Sequence, residues 1–246
     1  MEWKMVMLNN TNASDKRRSE RGNVLFLILI AVALFAALSY AVTQSTRSGG
    51  GDASSETNLI NSSQITQYPA SLKTAITRMN VSNSIAVDTL LFNDPTTFTA
   101  DLTTPTLQSE AVFYPTGGGA TYQQAPSNVM ASGAAGTWIF NAENEVLNIG
   151  TDGGAAGASN DIIAFLPGIK KAICDKINSQ LSISGTILET DTVDYATVMD
   201  TATPGIPAAA AGILGTAATA LVGKPQGCFS FGAGPTYVYY SVLIER

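Results

Sequence analysis

Few residues in this chain are equipped for chemistry, and their types narrow the function classes at once. No histidine occurs among the 246 residues. That removes Ser-His-Asp and Cys-His catalysis, histidine-ligated zinc and histidine proton relays. There are two cysteines, Cys174 and Cys228, too few for a cysteine-rich zinc site or an iron–sulfur cluster. They do not form Cys-x-x-Cys, so a redox centre is not indicated, and a disulfide or two buried thiols are the other readings. Asp152 precedes Gly153-Gly154, Asp161 follows Asn160, and Glu189, Asp191 and Asp194 cluster further on. Calcium takes six to eight oxygens, so Asp152, Asp161, Asp191 and Asp194 are its candidate ligands. Neither group has EF-hand spacing. The plain alternative is surface acids that cap turns, and Asp161 in particular suits a helix N-cap. The glycine clusters at 117–119 and 153–154 do not lead into Gly-Lys-Ser/Thr, so no phosphate loop is present. Tyr237, Tyr239 and Tyr240 could touch a sugar or peptide, or simply fill a sheet. No catalytic residue, cofactor or nucleic-acid site is indicated, and a net charge of −6 argues against general nucleic-acid binding.

The elements that must position these residues begin with an apolar run. Val24 to Val42 reads VLFLILIAVALFAALSYAV, 19 residues without a charge. As a helix it is roughly 28 Å long, close to the hydrocarbon thickness of a bilayer. It is apolar on every side, whereas a buried core helix is usually amphipathic. Residues 1–22 hold five bases and three acids; the remainder holds eight bases and sixteen acids. Positive residues stay in the cytoplasm, which places the N-terminus inside and the acidic body outside. In that oxidising compartment the two cysteines most simply form a disulfide.

Three leaders fit such a start. An ordinary secretory signal would use Ser39-Tyr40-Ala41 as its cleavage site, but its apolar run is normally shorter. A twin-arginine signal has only Arg17-Arg18 in its favour. The third begins with Lys16-Arg17-Arg18-Ser19-Glu20-Arg21-Gly22, which ends in glycine directly before the apolar run. This resembles the leader of type IV prepilins and type II secretion pseudopilins, with Gly22 the last leader residue and Asn23 the first mature one. The resemblance spans about residues 16–48 and implies several things together. A prepilin peptidase would cut on the cytoplasmic side, and the new N-terminus would be methylated. The helix from Val24 through Leu27 to Val42 would be retained, first as an anchor and then as the core of a fibre. Most members carry glutamate at the fifth mature position, where this chain has Leu27; tip-type pseudopilins and certain minor pilins also lack it.

Beyond the anchor, Gly49-Gly50-Gly51 should break or hinge the helix at about 1 kcal/mol per glycine. Hinge and plain linker are equally open. Residues 53–80 carry Ile65, Tyr68, Leu72, Ile76 and Met79 at helical spacing, with Pro69 predicting a kink or an interruption. Residues 87–101 read as loop and Ala111 to Tyr114 as a short strand, followed by a turn at 115–119. Thr137 to Phe140 and Glu145 to Ile149 read as two strands of a hairpin turned at 141–144. Pro167 suits a first helical turn, and Ile169, Ile173 and Ile177 predict a helix over 167–181. Residues 185–221 read as long loop with one short helix. Cys228 to Phe231 and Tyr237 to Glu245 close the chain as strands, the last being the clearest.

The expected organisation is thus a leader at 1–22, an assembly helix at 23–47, a Gly-rich hinge at 48–52 and an exported domain at 53–246. The fold class is α+β, with an antiparallel sheet and one or two packed helices. The resemblance implies a non-enzymatic fibre subunit whose partners are other pilin or pseudopilin subunits, the inner-membrane assembly platform and the peptidase. Before assembly it would cross the bacterial inner membrane once, with the domain periplasmic or on an extracellular fibre. A C-terminal disulfide between Cys174 and Cys228 is similar to pilin practice. The alternative is a membrane-anchored exported binding protein whose helix is an uncleaved signal anchor.

Overall fold

The computed structural model describes residues 16–152, 160–183, 193–207, 210–232 and 236–246, with side chains in α1 from 24 to 44 and from 55 onward. The chain divides into two compact units, Met1–Ser55 and Glu56–Arg246. Helix α1 (Lys16–Asn83) contributes to both. Its backbone is helical through Gly49, Gly50 and Gly51 and again through Pro69, so neither the expected break nor the interruption occurs. Pro69 lacks the amide that would bond one turn back, and the helix continues because its flanking turns are packed. The Ile65, Tyr68, Leu72, Ile76 and Met79 stripe is buried in the main core, as its spacing predicts.

The second unit is α+β. Short helices α2 (Phe98–Asp101) and α3 (Pro105–Glu110) precede strands β1 (Ile139–Val146) and β2 (Asp161–Ile169). Helix α4 (Lys171–Gln180), β3 (Gly212–Leu214), β4 (Gln226–Phe231) and β5 (Thr236–Ile244) follow. The sheet order is β3-β1-β2-β5-β4. It is mixed and not purely antiparallel: β3 runs parallel to β1, and the other three pairings are antiparallel.

Both sheet faces are covered. On β2, Ile162, Ala164 and Leu166 join the α1 stripe and α4 in one cluster. Ile163 and Phe165 join Phe229, Val238, Tyr240 and Leu221 in another. Alternate strand residues point to opposite faces, so a strand buried on both has no polar residue to mark it. The expected helix start at Pro167 is therefore corrected: 161–169 is a strand, and Pro167 lies at a register irregularity where the ladder can spare its amide. The expected hairpin at 141–144 is likewise one continuous strand. Asn141 and Asn144 flank a bulge in β1 and are fully buried. Ala111 to Tyr114 is not a strand; Ala111 makes a single parallel bridge to Leu91, and Val112 and Phe113 enter the core.

Cys174 and Cys228 are joined in a disulfide with Cα atoms 5.5 Å apart. One turn along α4, the Asn178 amide grips the same residue: it donates to the Cys228 carbonyl (2.8 Å) and accepts from the Cys228 N–H (2.9 Å). The helix thus holds the centre of β4 twice, covalently and through the backbone.

Candidate functional site

Val24–Gln44 is the most distinctive surface of the chain. These 21 residues are helical and none is buried. Leu34 is 66% exposed and Phe35 73%, and Val24, Leu27 and Val42 are each more than half exposed. At about 1.5 Å per residue the segment is roughly 31 Å long, enough to cross a bilayer. An apolar surface of this extent requires lipid or protein around it. The few polar groups at its far end are satisfied locally: Thr43 Oγ1 donates to the Ser39 carbonyl and Gln44 Nε2 to the Tyr40 hydroxyl. Such local bonding lowers the cost of placing them at or in a membrane. Gly22 and Asn23 lie in the helical backbone of α1 just before this segment.

Among the described residues Asp152, Asp161 and Asp194 belong to no metal-holding group. Asp191 falls outside the described residues. Asp152 Oδ1 accepts from the Asn148 N–H. Asp194 caps its own turn, accepting from the Ala196 and Thr197 N–H groups and the Thr197 hydroxyl. Burial works to raise its pKa, but the Thr197 and Ala196 hydrogen bonds outweigh it and the value falls below the ordinary one. The segment around Asp194 is itself held by the β1 bulge: the Asn141 and Asn144 side chains both donate to the Asp194 carbonyl. Among the described residues no group of three or more acidic or cysteine side chains could hold a metal ion.

Asp161 is not a helix N-cap. It opens β2, is fully buried, and accepts from the Val146 N–H (2.9 Å) and the Arg246 N–H (3.0 Å). It therefore ties the end of β1 to the residues that follow β5. Burial raises its pKa to about 7, helped by the Glu145 and Glu245 charges and opposed by the two N–H donors. Tyr239 and Tyr240 are fully buried core residues and Tyr237 is half-buried, so these tyrosines form no ligand platform. The sequence reading missed Asn141, Asn144 and Asn178. Their one sequence signal is asparagine within otherwise apolar elements, where a buried amide must find partners.

No family model matches the chain, and no curated protein or solved structure matches it.

Proposed function

We propose that this chain is a structural subunit of a type IV pilus-like or type II secretion pseudopilus-like fibre, a minor or tip component without catalytic activity. One observation carries the reading. A helical segment of 21 residues, apolar and unburied, begins one residue after a basic stretch ending in Gly22. A lone signal sequence accounts for the apolar run but gives no reason for that glycine. In this reading prepilin peptidase cuts between Gly22 and Asn23 while the helix spans the inner membrane with its N-terminus cytoplasmic. The helix then leaves the bilayer and packs against those of other subunits, guided by the assembly platform.

Leu27 supports the minor role. In such fibres a glutamate at this position pairs with the neighbouring subunit's N-terminal amine, offsetting the cost of burying that charge. Leucine cannot, so a repeated subunit would leave an unpaired amine at every step. A subunit used once avoids the repetition. The deciding measurement is the N-terminus of membrane-extracted protein. A start at Asn23, lost when Gly22 is replaced by a bulky residue, is expected. An intact Met1, or a start near Val42, overturns the proposal. Immunogold labelling of sheared fibres should mark ends only; labelling along their length would refute the tip position.

A further inference from the structure

A groove runs beside the C-terminal half of α1, within the second unit, and its lining differs from the rest of this acidic surface. One part, a cleft of about 410 Å³, is lined by Gln64 and Gln67 of α1, by Gln123 and Gln124 opposite, and by Tyr68 and Trp138. A second cleft of about 420 Å³ shares Ser71 and Gln123 with the first and continues to Thr74, Arg78, Gly118 and Thr121. From Gln64 to Arg78 the helix advances about 21 Å. The four glutamines are exposed, and their side-chain amides bond to no described residue. Each presents both a donor and an acceptor. No carboxylate lines either cleft. Arg78 donates to the Gly118 carbonyl, which aims its guanidinium, and it belongs to neither ion pair of the described residues, Lys73–Glu245 and Lys171–Asp175.

We propose that this groove binds an oligosaccharide that bears a carboxylate, its hydroxyls on the glutamine amides and its acid on Arg78. Hydroxyl groups both give and take hydrogen bonds, which matches a row of free amides. A guanidinium with donors to spare matches a carboxylate bidentately. A peptide would want an open strand edge or an apolar pocket. Ala125 spends its N–H and carbonyl on Gly136, so no open strand edge is offered there, and Trp138 and Tyr68, the large rings of the wall, are nearly buried. The inference stands whether or not the chain enters a fibre.

The test uses the full chain in a neutral detergent, with Trp3→Phe so that Trp138 is the remaining indole. The probes are oligogalacturonate, a glucuronate–N-acetylglucosamine hexasaccharide and sialyllactose, each beside its carboxyl-reduced counterpart. At least one acidic probe should change Trp138 fluorescence, and bind about tenfold tighter than its reduced form. Arg78→Gln should erase that ratio, and Arg78→Lys should keep part of it. Gln64→Ala with Gln67→Ala should weaken acidic and reduced forms alike. Thermal melts of the variants separate lost binding from lost folding. Silence with all three acidic probes, equal binding of acidic and reduced forms, unchanged discrimination in folded Arg78→Gln, or tighter binding of an acidic peptide overturns the proposal.

Discussion

Replacing Asp161 by asparagine tests how the end of β1 and the residues after β5 are held together beside β2. The native carboxyl is fully buried against the Val146 and Arg246 N–H groups, and its pKa rises from 3.8 to about 7. The direction of the linkage follows. Below about pH 4 the group is protonated in folded and unfolded chains alike, and its contribution is fully present. Between there and pH 7 the unfolded chain has released this proton while the folded chain retains it. Stability then falls as pH rises, by about 1.4 kcal/mol per pH unit, or about 4 kcal/mol across the window. Asparagine does not titrate, so Asp161→Asn should abolish this slope. It also has a single acceptor oxygen for two N–H donors, which should cost about 1–3 kcal/mol wherever the native side chain keeps both bonds. Urea unfolding of both proteins in neutral detergent, at intervals from about pH 4 to 8, measures the effect. The stability of the native chain relative to the variant should decline by about 4 kcal/mol over that range. A difference that stays constant with pH would refute the reasoning, because contributions from groups that do not interact with Asp161, Glu143 among them, cancel in the comparison.

The disulfide closes a loop with a sequence separation of 54, worth roughly 4 kcal/mol in chain entropy. Cys228→Ser should lower the melting temperature by roughly 8–16 °C, and native protein should resist alkylation until reduced. Asn178→Ala should leave the Cys228 N–H and carbonyl without their partner at a cost of roughly 2–6 kcal/mol, with faster hydrogen exchange at the Cys228 amide as its local sign. Leu72→Ala, in the middle of the α1 stripe, should cost roughly 2–5 kcal/mol in urea unfolding.

What the sequence revealed depended on whether an element faces both core and water. The α1 stripe was legible because Ile65, Tyr68, Leu72, Ile76 and Met79 alternate with exposed polar residues such as Gln64 and Gln67. The β5 run was legible from its length and its tyrosines and valines. Strand β2 was not: with both faces covered it has no alternation, and Pro167 imitates a helix start. Strand β1 is interrupted in the sequence pattern because Asn141 and Asn144 look like turn residues, whereas the fold buries them to hold residues 194–197. The three glycines near position 50 argued for a break that the α1 backbone does not make. Arg78 and the four glutamines carried no signal, since 40 or more positions separate the two walls of their groove. Cys174 and Cys228 could be paired from their even number and the expected oxidising compartment, but nothing local marked Asn178 as their companion.

That companion bears on how copies of this chain can meet. Strand β4 is the last in its sheet, the place where another chain's strand would normally be able to add. At its midpoint the hydrogen-bonding groups are already taken by a side-chain amide, and the covalent bond one helical turn away keeps that amide in place. A newcomer would have to displace Asn178 while α4 stays tethered. At the opposite border, β3 offers only three residues. The sheet is thus poorly suited to growth from copy to copy, which guards against runaway aggregation.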